Sequence, residues 1–465
     1  MAFTDLSYAI FLPAVFVLYW AVRYKTAQNL VLLGASYLFY GFVHPWFCLL
    51  IATSTVVDYL CGLFLDRPER RPGFRKGVLA ASLVVNLGML GVFKYFNFFA
   101  ENVGALAAAV GVRADPLLLS VVLPVGISFY TFQTLSYTID IYRGQMRARR
   151  NPIDFAVFVS CFPQLVAGPI ERARRFLPQI ETPRRWQWER LFAAVPLLIL
   201  GFFKKLVVAD NLAGFVEQVY MLREPSAYVL LAGTVGFAIQ ILADFSAYTD
   251  IARGSARLLG FELVENFNAP YLAVSPSDFW RRWHISLSTW IRDYLYIPLG
   301  GSRVESRWRH AWVLIVTFAL CGLWHGAQWH FVAWGLFHAL LLVIYHQLGF
   351  GGRWRPEGVL HLAASWGVMT FLTLAGWTLF RATSLGWLAG AVTHGRLGLG
   401  GDDLYVGTLI LGYCLVYTLP WLLYAVVQRF WAHLYWNRVV YHWLLLSLIV
   451  LLANRDPEAF IYFQF

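Results

Sequence analysis

The chain has 465 residues, of which 59% are hydrophobic and only 14% charged, and its formal net charge is +11 at pH 7. A soluble globular domain carries about 25% charged residues, so this composition excludes a soluble protein and indicates an integral membrane protein. The basic residues lie in short loops between apolar segments, a pattern that indicates contact with membrane lipids and argues against a nucleic-acid partner.

Apolar segments long enough to cross a membrane recur along the chain. A spanning helix needs about 20 apolar residues. Residues 6–22 lack the pattern of a cleaved signal peptide and are expected to be a retained first span. The predicted spans, some of them tilted or partial, are 6–22, 28–43, 45–65, 77–99, 117–141, 191–208, 226–249, 310–326, 329–348, 358–380, 404–427 and 439–453. No linker is long enough to divide the chain, so we predict one domain, residues 1–465.

The distribution of basic residues predicts the topology. They cluster in alternate loops from Arg23 to Arg438, whereas the loops 100–116 and 209–225 carry one arginine each. This alternation places the basic loops in the cytoplasm and the N-terminus outside.

One apolar segment, residues 152–170, breaks the alternation because basic loops lie on both sides of it. It contains Pro163, Gly168 and Pro169 in "CFPQLVAGPI". These features predict a re-entrant or in-plane segment. Broken backbone at membrane depth survives only where it is buried in protein or lines a cavity, so we expect a polar interior cavity.

The long cytoplasmic piece before residue 310 contains "SPSDFWRRWHISLSTWIRDYLYIPLGGSR". Ser277 is the predicted N-cap of a helix. At about 100° per residue, an apolar stripe is formed by Trp280, Trp283, Leu287, Trp290, Ile291 and Tyr294. The stripe predicts a continuous amphipathic helix along the membrane or on the bundle. Arg282 faces away from the stripe and His284 lies at its edge, where periodicity alone favours a structural role.

Polar side chains also fall within the apolar runs. His325 and His330 lie in "CGLWHGAQWH", and Gln240 and Asp244 lie in "AIQILADFSAYTD". Intramembrane histidines bond neighbouring helices, yet ionisable groups at this depth are also functional candidates, so both interpretations of His325 stay open here. On a continuous helix His330 points about 140° away from His325, which favours a structural role. Asp244 needs a partner or a wet cavity.

Several enzyme classes lack their motifs in this sequence. GxSxG, P-loop, GxGxxG and HExxH patterns are missing, and the five cysteines form no CxxC or Cys/His cluster. Hydrolase, ATPase and metalloenzyme functions therefore have no support, and we expect no metal site and no disulfide framework. A transporter stays open, because broken helices are predicted although no internal repeat is visible.

Six stretches in order along the chain resemble the membrane-bound O-acyltransferase family, and within it the alginate O-acetylation branch. They are "FKYFNFF" (93–99), "LPVGISFYTFQTLSYTIDIYRG" (123–144), "FPQLVAGPI" (162–170), "ADFSAYTDIARGSARLLGFELVENFNAPYLA" (243–273), "DFWRRWHISLSTWIRDYLYIPLGGSR" (278–303) and "GLWHGAQWHFVAWGLFHAL" (322–340). The terminal "FIYFQF" also fits. The resemblance covers most of the chain and is densest from 123 to 340.

The resemblance implies an all-α polytopic membrane protein. Its expected fold has about eleven or twelve transmembrane helices, with re-entrant and amphipathic in-plane helices, around a central funnel. His325 in "LWHG" matches the histidine that is almost invariant in the family, and His284 in "RRWHISLS" matches a second polar position. These two are the predicted catalytic residues. The predicted substrate-binding residues are Trp324, Trp280, Arg282, Asp244 and Gln240.

The implied function is transfer of an acetyl group from a cytoplasmic thioester, acetyl-CoA, to an acceptor protein of the bacterial envelope. That protein would pass the group to an exported polysaccharide such as alginate. The expected location is the inner membrane, and no bound cofactor is expected. His325 would remove a proton or briefly carry the acetyl group, and His284 would orient or polarise the thioester carbonyl. D-alanyl or peptidoglycan acyl transfer, a polysaccharide transporter and a structural subunit stay open as alternatives.

Overall fold

A computed structural model describes the chain except residues 68, 70, 113, 114, 121, 167, 305, 353, 431–434, 455–457 and 462–465, and except the side chains of 425, 428, 429 and 435–438. Most of the terminal "FIYFQF" and the side chain of Arg438 therefore lie outside the described residues. No strand occurs among the residues described, and the all-α prediction is confirmed.

The chain falls into two compact units, one comprising Met1–Ala194 with Ala252–Val264 and the other Val195–Ile251 with Glu265–Phe465. The prediction of a single domain stays a prediction. The helices that begin in the first unit are α1 (Leu6–Ala21), α2 (Lys25–Gly41), α3 (Phe47–Leu65), α4 (Pro72–Leu90), α5 (Phe96–Ala109), α6 (Ile127–Tyr142), α7 (Pro152–Ser160), α8 (Phe162–Leu165), α9 (Ala173–Glu181) and α10 (Trp188–Phe203).

The helices that begin in the second unit are α11 (Asp210–Met221), α12 (Ala227–Leu258), α13 (Pro276–Arg282), α14 (Ile285–Ile291), α15 (Arg307–His325), α16 (Trp329–Gln347), α17 (Gly358–Arg381), α18 (Leu385–Thr393), α19 (Gly401–Phe430) and α20 (Tyr435–Leu452). The boundary between the units falls within α10 and α12. Three π-helical segments, Gly91–Tyr95, Lys204–Ala209 and Arg292–Tyr296, join α4 to α5, join α10 to α11 and extend α14.

Seven helices among the described residues are long and apolar enough to cross a membrane. They are Phe47–Leu65, Pro72–Ala109, Trp188–Met221, Ala227–Leu258, Trp329–Gln347, Gly358–Arg381 and Gly401–Tyr424, and two shorter apolar helices are Leu6–Ala21 and Val439–Leu452. The polytopic prediction is confirmed, although fewer helices meet these criteria than the eleven or twelve expected. The predicted spans 28–43 and 310–326 correspond to α2 and α15, which are not among the seven.

Three predicted boundaries are wrong. The span predicted at 117–141 becomes helical only at Ile127, because Pro116 and Pro124 disfavour helix and Gly126 has a positive φ of 78°. The predicted loops 100–116 and 209–225 begin as helix instead, since α5 continues to Ala109 and α11 to Met221.

The segment predicted to be re-entrant is broken and buried in the first unit. Asn151 caps α7 by accepting hydrogen bonds from the backbone N–H groups of Ile153 and Asp154, and the helix ends at Cys161 before the single turn of α8. A Cβ at Gly126 would meet the carbonyl oxygen of Leu165, so glycine permits this close approach. The break is confirmed, and the path relative to a membrane stays a prediction.

The first unit has a polar core whose members bond one another. The Asp58 carboxylate accepts hydrogen bonds from Ser82 Oγ at 2.5 Å and from Asn86 Nδ2 at 2.8 Å. Asn86 Oδ1 in turn accepts from Ser54 Oγ at 2.6 Å, and Ser82 Oγ lies 3.1 Å from Thr138 Oγ1. These buried groups join α3, α4 and α6 as interhelical hydrogen bonds do in membrane proteins.

Candidate functional site

The helical hairpin of α15 and α16 carries His325. A Cβ at Gly322 would collide with the carbonyl of Phe331, and one at Gly335 with the carbonyl of Phe318. The two backbones are therefore in direct contact, as small residues allow in membrane helices. His325 is the last residue of α15 and is only 2% exposed.

His330 belongs to the next helix. Gly326 has an extended backbone (φ −159°) that ends α15, so the continuous helix assumed in comparing the two histidines is wrong. The His330 ring lies 4.1 Å from the Phe331 ring, near the start of α16. The structural role predicted for His330 stays a prediction.

Three aromatic side chains surround the His325 ring. Their ring centroids lie 4.9 Å away for Trp324, 4.9 Å for Trp334 and 5.5 Å for Phe380, with interplanar angles of 76° to 85°. We call these three residues the aromatic box. All are buried, so His325 lies in a site of low dielectric where charge–dipole interactions are strong.

His284 lies at a break between two helices and not on one amphipathic helix. Helix α13 ends at Arg282, His284 has the left-handed conformation (φ 41°), and α14 begins at Ile285. The N-cap of α13 is also two residues earlier than predicted, because Ser275 Oγ, and not Ser277 Oγ, accepts a hydrogen bond from Asp278 N. The left-handed conformation of a histidine costs about 1 kcal/mol or more and must be held by its surroundings.

Asn266 holds this strained loop. Its carbonyl oxygen accepts from Ile285 N at 2.9 Å, and its Oδ1 accepts from Ser286 N at 3.2 Å and Ser286 Oγ at 2.7 Å. His284 Nδ1 lies 3.3 Å from the same Oδ1. Because a backbone N–H can only donate, the atom facing Ser286 N must be the oxygen, and His284 Nδ1 must therefore donate to it.

The tautomer of His284 follows from this contact. With the proton on Nδ1, the Nε2 atom of neutral His284 carries a lone pair. Nε2 is buried and has no hydrogen-bond partner among the described residues. Complete burial lowers the pKa of His284 to about 3, so the ring is neutral at physiological pH.

The two predicted catalytic histidines contact the same indole. The Trp324 ring centroid is 6.2 Å from that of His284 and 4.9 Å from that of His325. On its other side, His284 packs edge-on against Phe245 at 4.7 Å. Residues 41 positions apart in the sequence are thus brought to one aromatic group.

The other predicted substrate-binding residues have different surroundings. Trp280 joins the same aromatic group, with its ring 5.8 Å from Trp334 and its buried Nε1 without a partner among the described residues. Gln240, on α12, has a buried Oε1 that likewise lacks a partner in the described part of the chain. Arg282 interacts with its own segment of the chain. Its Nε lies 3.0 Å from Asp278 Oδ1, and its Nη1 donates a hydrogen bond to the carbonyl of Asn268.

Asp244 belongs to a buried charge cluster, which we call the Lys205 cluster. Lys205 Nζ lies 2.7 Å from Asp210 Oδ1 and 3.1 Å from Asp244 Oδ1, and it donates to the carbonyl of Glu458. Asp244 Oδ2 accepts from Ile461 N at 2.7 Å. The need of Asp244 for a partner is confirmed, and its contacts hold the C-terminal segment, so they give no support to substrate binding.

A largely apolar cavity of about 180 Å³ lies in the second unit. Its walls come from α12, α17 and residues 270–273, and they include Ala238, Tyr271 and Trp366. The Tyr271 ring stacks 6.3 Å from Trp283, which directly precedes His284. The cavity has no histidine or carboxylate in its walls, so it can take an apolar chain but is not itself a centre for proton transfer.

Three residues of the site were not predicted. Asn266 lies 18 residues from His284, and no periodicity links the two positions. Trp334 and His338 resemble ordinary span residues, although their rings lie 4.8 Å apart within the aromatic group. The only available signal was that both the Asn266 and Trp334 positions fall within stretches that resemble the family.

Comparison with known proteins matches the membrane-bound O-acyltransferase family model to residues 146–351, which include His284, His325 and Trp334. The chain is 40% identical over 381 residues to a probable alginate O-acetylase of Azotobacter vinelandii, covering 81% of this chain and 74% of the relative. It is 38% identical over 421 residues to that of Pseudomonas aeruginosa, covering 87% and 78%. Identity to a peptidoglycan O-acetyltransferase of Helicobacter pylori is 33% over 435 residues, covering 86% and 80%.

Proposed function

This chain belongs to the membrane-bound O-acyltransferase family, and we propose that it moves an acetyl group from acetyl-CoA in the cytoplasm to an acceptor hydroxyl outside the bacterial inner membrane. The observation that carries the proposal is the placement of His284 and His325 against Trp324 in a buried aromatic site. The similarity to alginate O-acetylases and to a peptidoglycan O-acetyltransferase supports acetyl as the group transferred.

The proposed reaction needs a proton acceptor, and His325 supplies it. The acceptor oxygen attacks the thioester carbonyl while His325 takes the hydroxyl proton. The C–S bond then breaks, and the same proton returns to the departing thiolate, which leaves as the thiol. General acid–base catalysis of this kind contributes roughly 10²–10⁴-fold to a rate. A relay in which His325 itself carries the acetyl group uses the same residue.

The tautomer of His284 changes the role proposed for it. Polarising a carbonyl needs a hydrogen-bond donor, whereas Nε2 of His284 carries a lone pair because Nδ1 donates to Asn266. The single hydroxyl proton goes to His325, so we assign His284 to accept a hydrogen bond from another donor group of the bound thioester substrate and so to orient the thioester. Orientation of two reactants in one site contributes several kcal/mol.

The proposed partners follow from the relatives and from the charge distribution. The acceptor is an envelope protein that passes acetyl groups to an exported polysaccharide, with alginate as the polymer that the relatives' names suggest. The side chain of Arg281 is 58% exposed, and its Nη2 lies 3.6 Å from Asp278 Oδ1. It is therefore better placed than Arg282, whose Nε contacts Asp278 at 3.0 Å, to bind the phosphates of CoA.

The test is transfer of labelled acetyl groups from acetyl-CoA by membranes that contain equal amounts of wild type, His325→Ala and His330→Ala. We expect a loss of roughly 10³-fold or more for His325→Ala and near-normal transfer for His330→Ala, which controls for loss of a buried histidine in the same hairpin. Unchanged transfer in His325→Ala would overturn the assignment. Consumption of a D-alanyl carrier in place of acetyl-CoA, or movement of a polymer without thioester consumption, would replace the proposed function.

A further inference from the structure

Buried indole N–H groups without acceptors are concentrated in the second unit. The Nε1 atoms of Trp280, Trp334 and Trp377 are buried and have no hydrogen-bond partner among the described residues. More than 90% of buried polar groups in proteins are paired, and leaving one unpaired costs about 1–3 kcal/mol. Such a donor on an indole that packs against a proposed catalytic side chain therefore indicates that a ligand supplies the missing acceptor.

Trp334 is the member of this group that forms a wall of the aromatic box. Its side chain is 0% exposed, and its ring centroid lies 4.9 Å from that of His325 at an interplanar angle of 85°. Phe380 at 5.2 Å and His338 at 4.8 Å pack around the same indole and fix its position. The indole that carries this N–H is thus held in place beside the proposed base.

The reaction requires a donor that His284 does not provide. When the acceptor oxygen attacks the thioester, the carbonyl oxygen becomes an oxyanion, and a preorganised N–H that bonds it lowers the barrier. His284 presents a lone pair at Nε2, so a different group must bond this oxygen. An indole N–H is a donor at every pH and never an acceptor, which suits this task.

We propose that the indole N–H of Trp334 donates the hydrogen bond that stabilises the oxyanion of the acyl-transfer reaction. This inference rests on the proposed function, because it assumes that a thioester is attacked beside His325. It divides the work between three side chains: His325 moves the proton, His284 orients the thioester and Trp334 holds the oxygen that becomes charged. No proton or electron leaves Trp334 at any step.

The test replaces the N–H and keeps the ring. Trp334 is replaced by 3-benzothienylalanine, whose sulfur takes the place of the N–H, and, in a second variant, by phenylalanine (Trp334→Phe). Removal of one oxyanion donor costs about 10²–10³-fold in kcat. We expect a loss of roughly 10²-fold in kcat for both variants, with KM for acetyl-CoA changed less than kcat. The melting temperature of the benzothienyl variant should equal or exceed that of wild type, because an unpaired buried donor has been removed.

Trp377 offers a matched control. Its indole N–H is also buried without an acceptor in the described residues, and its ring packs 4.8 Å from Trp283. The same replacement at Trp377 should leave kcat within a few-fold of wild type. Full activity of the benzothienyl variant at 334 would overturn the proposal even if Trp334→Phe were inactive, since it would show that only the ring is needed.

An equal loss of activity from the same replacement at both positions would also overturn it. A wild-type protein that ignores acetyl-CoA would instead contradict the proposed function. In that case, the comparison at Trp334 is repeated with the thioester that wild type consumes. Failure of the proposed function and failure of the Trp334 proposal are therefore distinguishable.

Discussion

Two buried polar regions of the second unit differ in how their hydrogen-bonding groups are satisfied. In the Lys205 cluster, one lysine is paired with two aspartates, and the remaining bonds go to the backbone of the C-terminal segment. In the second region, which comprises the aromatic box and the neighbouring His284, the Nε2 atom of His284 and the Nε1 atom of Trp334 lack hydrogen-bond partners among the described residues. In the first region the three charges are paired within the protein, although Asp210 Oδ2 has no hydrogen-bond partner among the described residues, whereas we propose that a ligand supplies the partners missing in the second.

The difference separates a structural polar region from a reactive one. Proteins pair nearly all their buried polar groups, and exceptions concentrate at functional sites. The polar core around Asp58 in the first unit agrees with this rule, since its carboxylate bonds the amide of Asn86 between α3 and α4, and Ser82 contacts Thr138 on α6. Charge at membrane depth alone therefore does not identify the site.

The largest effect on stability is expected from Lys205→Met, which removes the cation of the Lys205 cluster. Without the ammonium group, Asp210 and Asp244 are buried without an ion-pair partner, and breaking a buried ion pair in this way costs about 3–5 kcal/mol. Thermal unfolding of the purified protein in detergent measures this loss.

A triple variant controls for the change of side-chain shape. Lys205→Met combined with Asp210→Asn and Asp244→Asn removes all three charges and should recover much of the lost stability. If Lys205→Met alone melted at the wild-type temperature, the cluster would not hold the second unit together as described.

The partner of Asp244 shows what a sequence can and cannot provide. Lys205 lies 39 residues upstream of Asp244 and is joined to it only by the fold, so the apolar run around Asp244 does not display the pair. Hydropathy depends on neighbours in sequence, so it located most helices correctly. Pairing depends on neighbours in space, which no single sequence displays.

The break at His284 illustrates the same limit within a short segment. The stripe from Trp280 to Tyr294 fits a helical period, yet hydrogen bonds from Asn266 stabilise a left-handed residue in the middle of it. Periodicity cannot show a backbone conformation that a distant side chain imposes. The local context of His325 leaves its role open, and the functional prediction comes from the resemblance of "LWHG" to the family.

An intermediate effect is expected from His284 on the pH dependence of stability. Its pKa in the folded protein, about 3, lies below the value of 6.5 for an unfolded histidine. Between these values the unfolded chain binds a proton that the folded protein does not, so the free energy of unfolding falls as pH decreases below 6.5. The slope is about 1.4 kcal/mol per pH unit, or about 2 kcal/mol between pH 6.5 and 5.

His284→Asn isolates this contribution, because asparagine tolerates the left-handed conformation and does not titrate. The difference in stability between wild type and this variant should shrink by the same amount as pH falls from 6.5 to 5, measured by denaturation in detergent. A constant difference over this range would mean that His284 is not buried as a neutral ring.

The smallest effect is expected from two isosteric changes that remove a buried hydroxyl. Thr317 Oγ1, on the helix that carries His325, has no partner among the described residues, whereas Thr138 Oγ1, in the first unit, bonds the carbonyl of Leu135 and contacts Ser82 Oγ. Removing a satisfied hydrogen bond costs about 1 kcal/mol, and removing an unpaired buried group is neutral or stabilising. Thr138→Val should therefore lower the free energy of unfolding by about 1 kcal/mol, while Thr317→Val should leave it unchanged or raise it.

Because both changes replace a hydroxyl with a methyl group, packing volume is nearly constant, and the opposite signs measure pairing alone. Equal losses from both variants would show that the Thr317 hydroxyl is paired in the folded protein, and a missing partner would then no longer mark the reactive region.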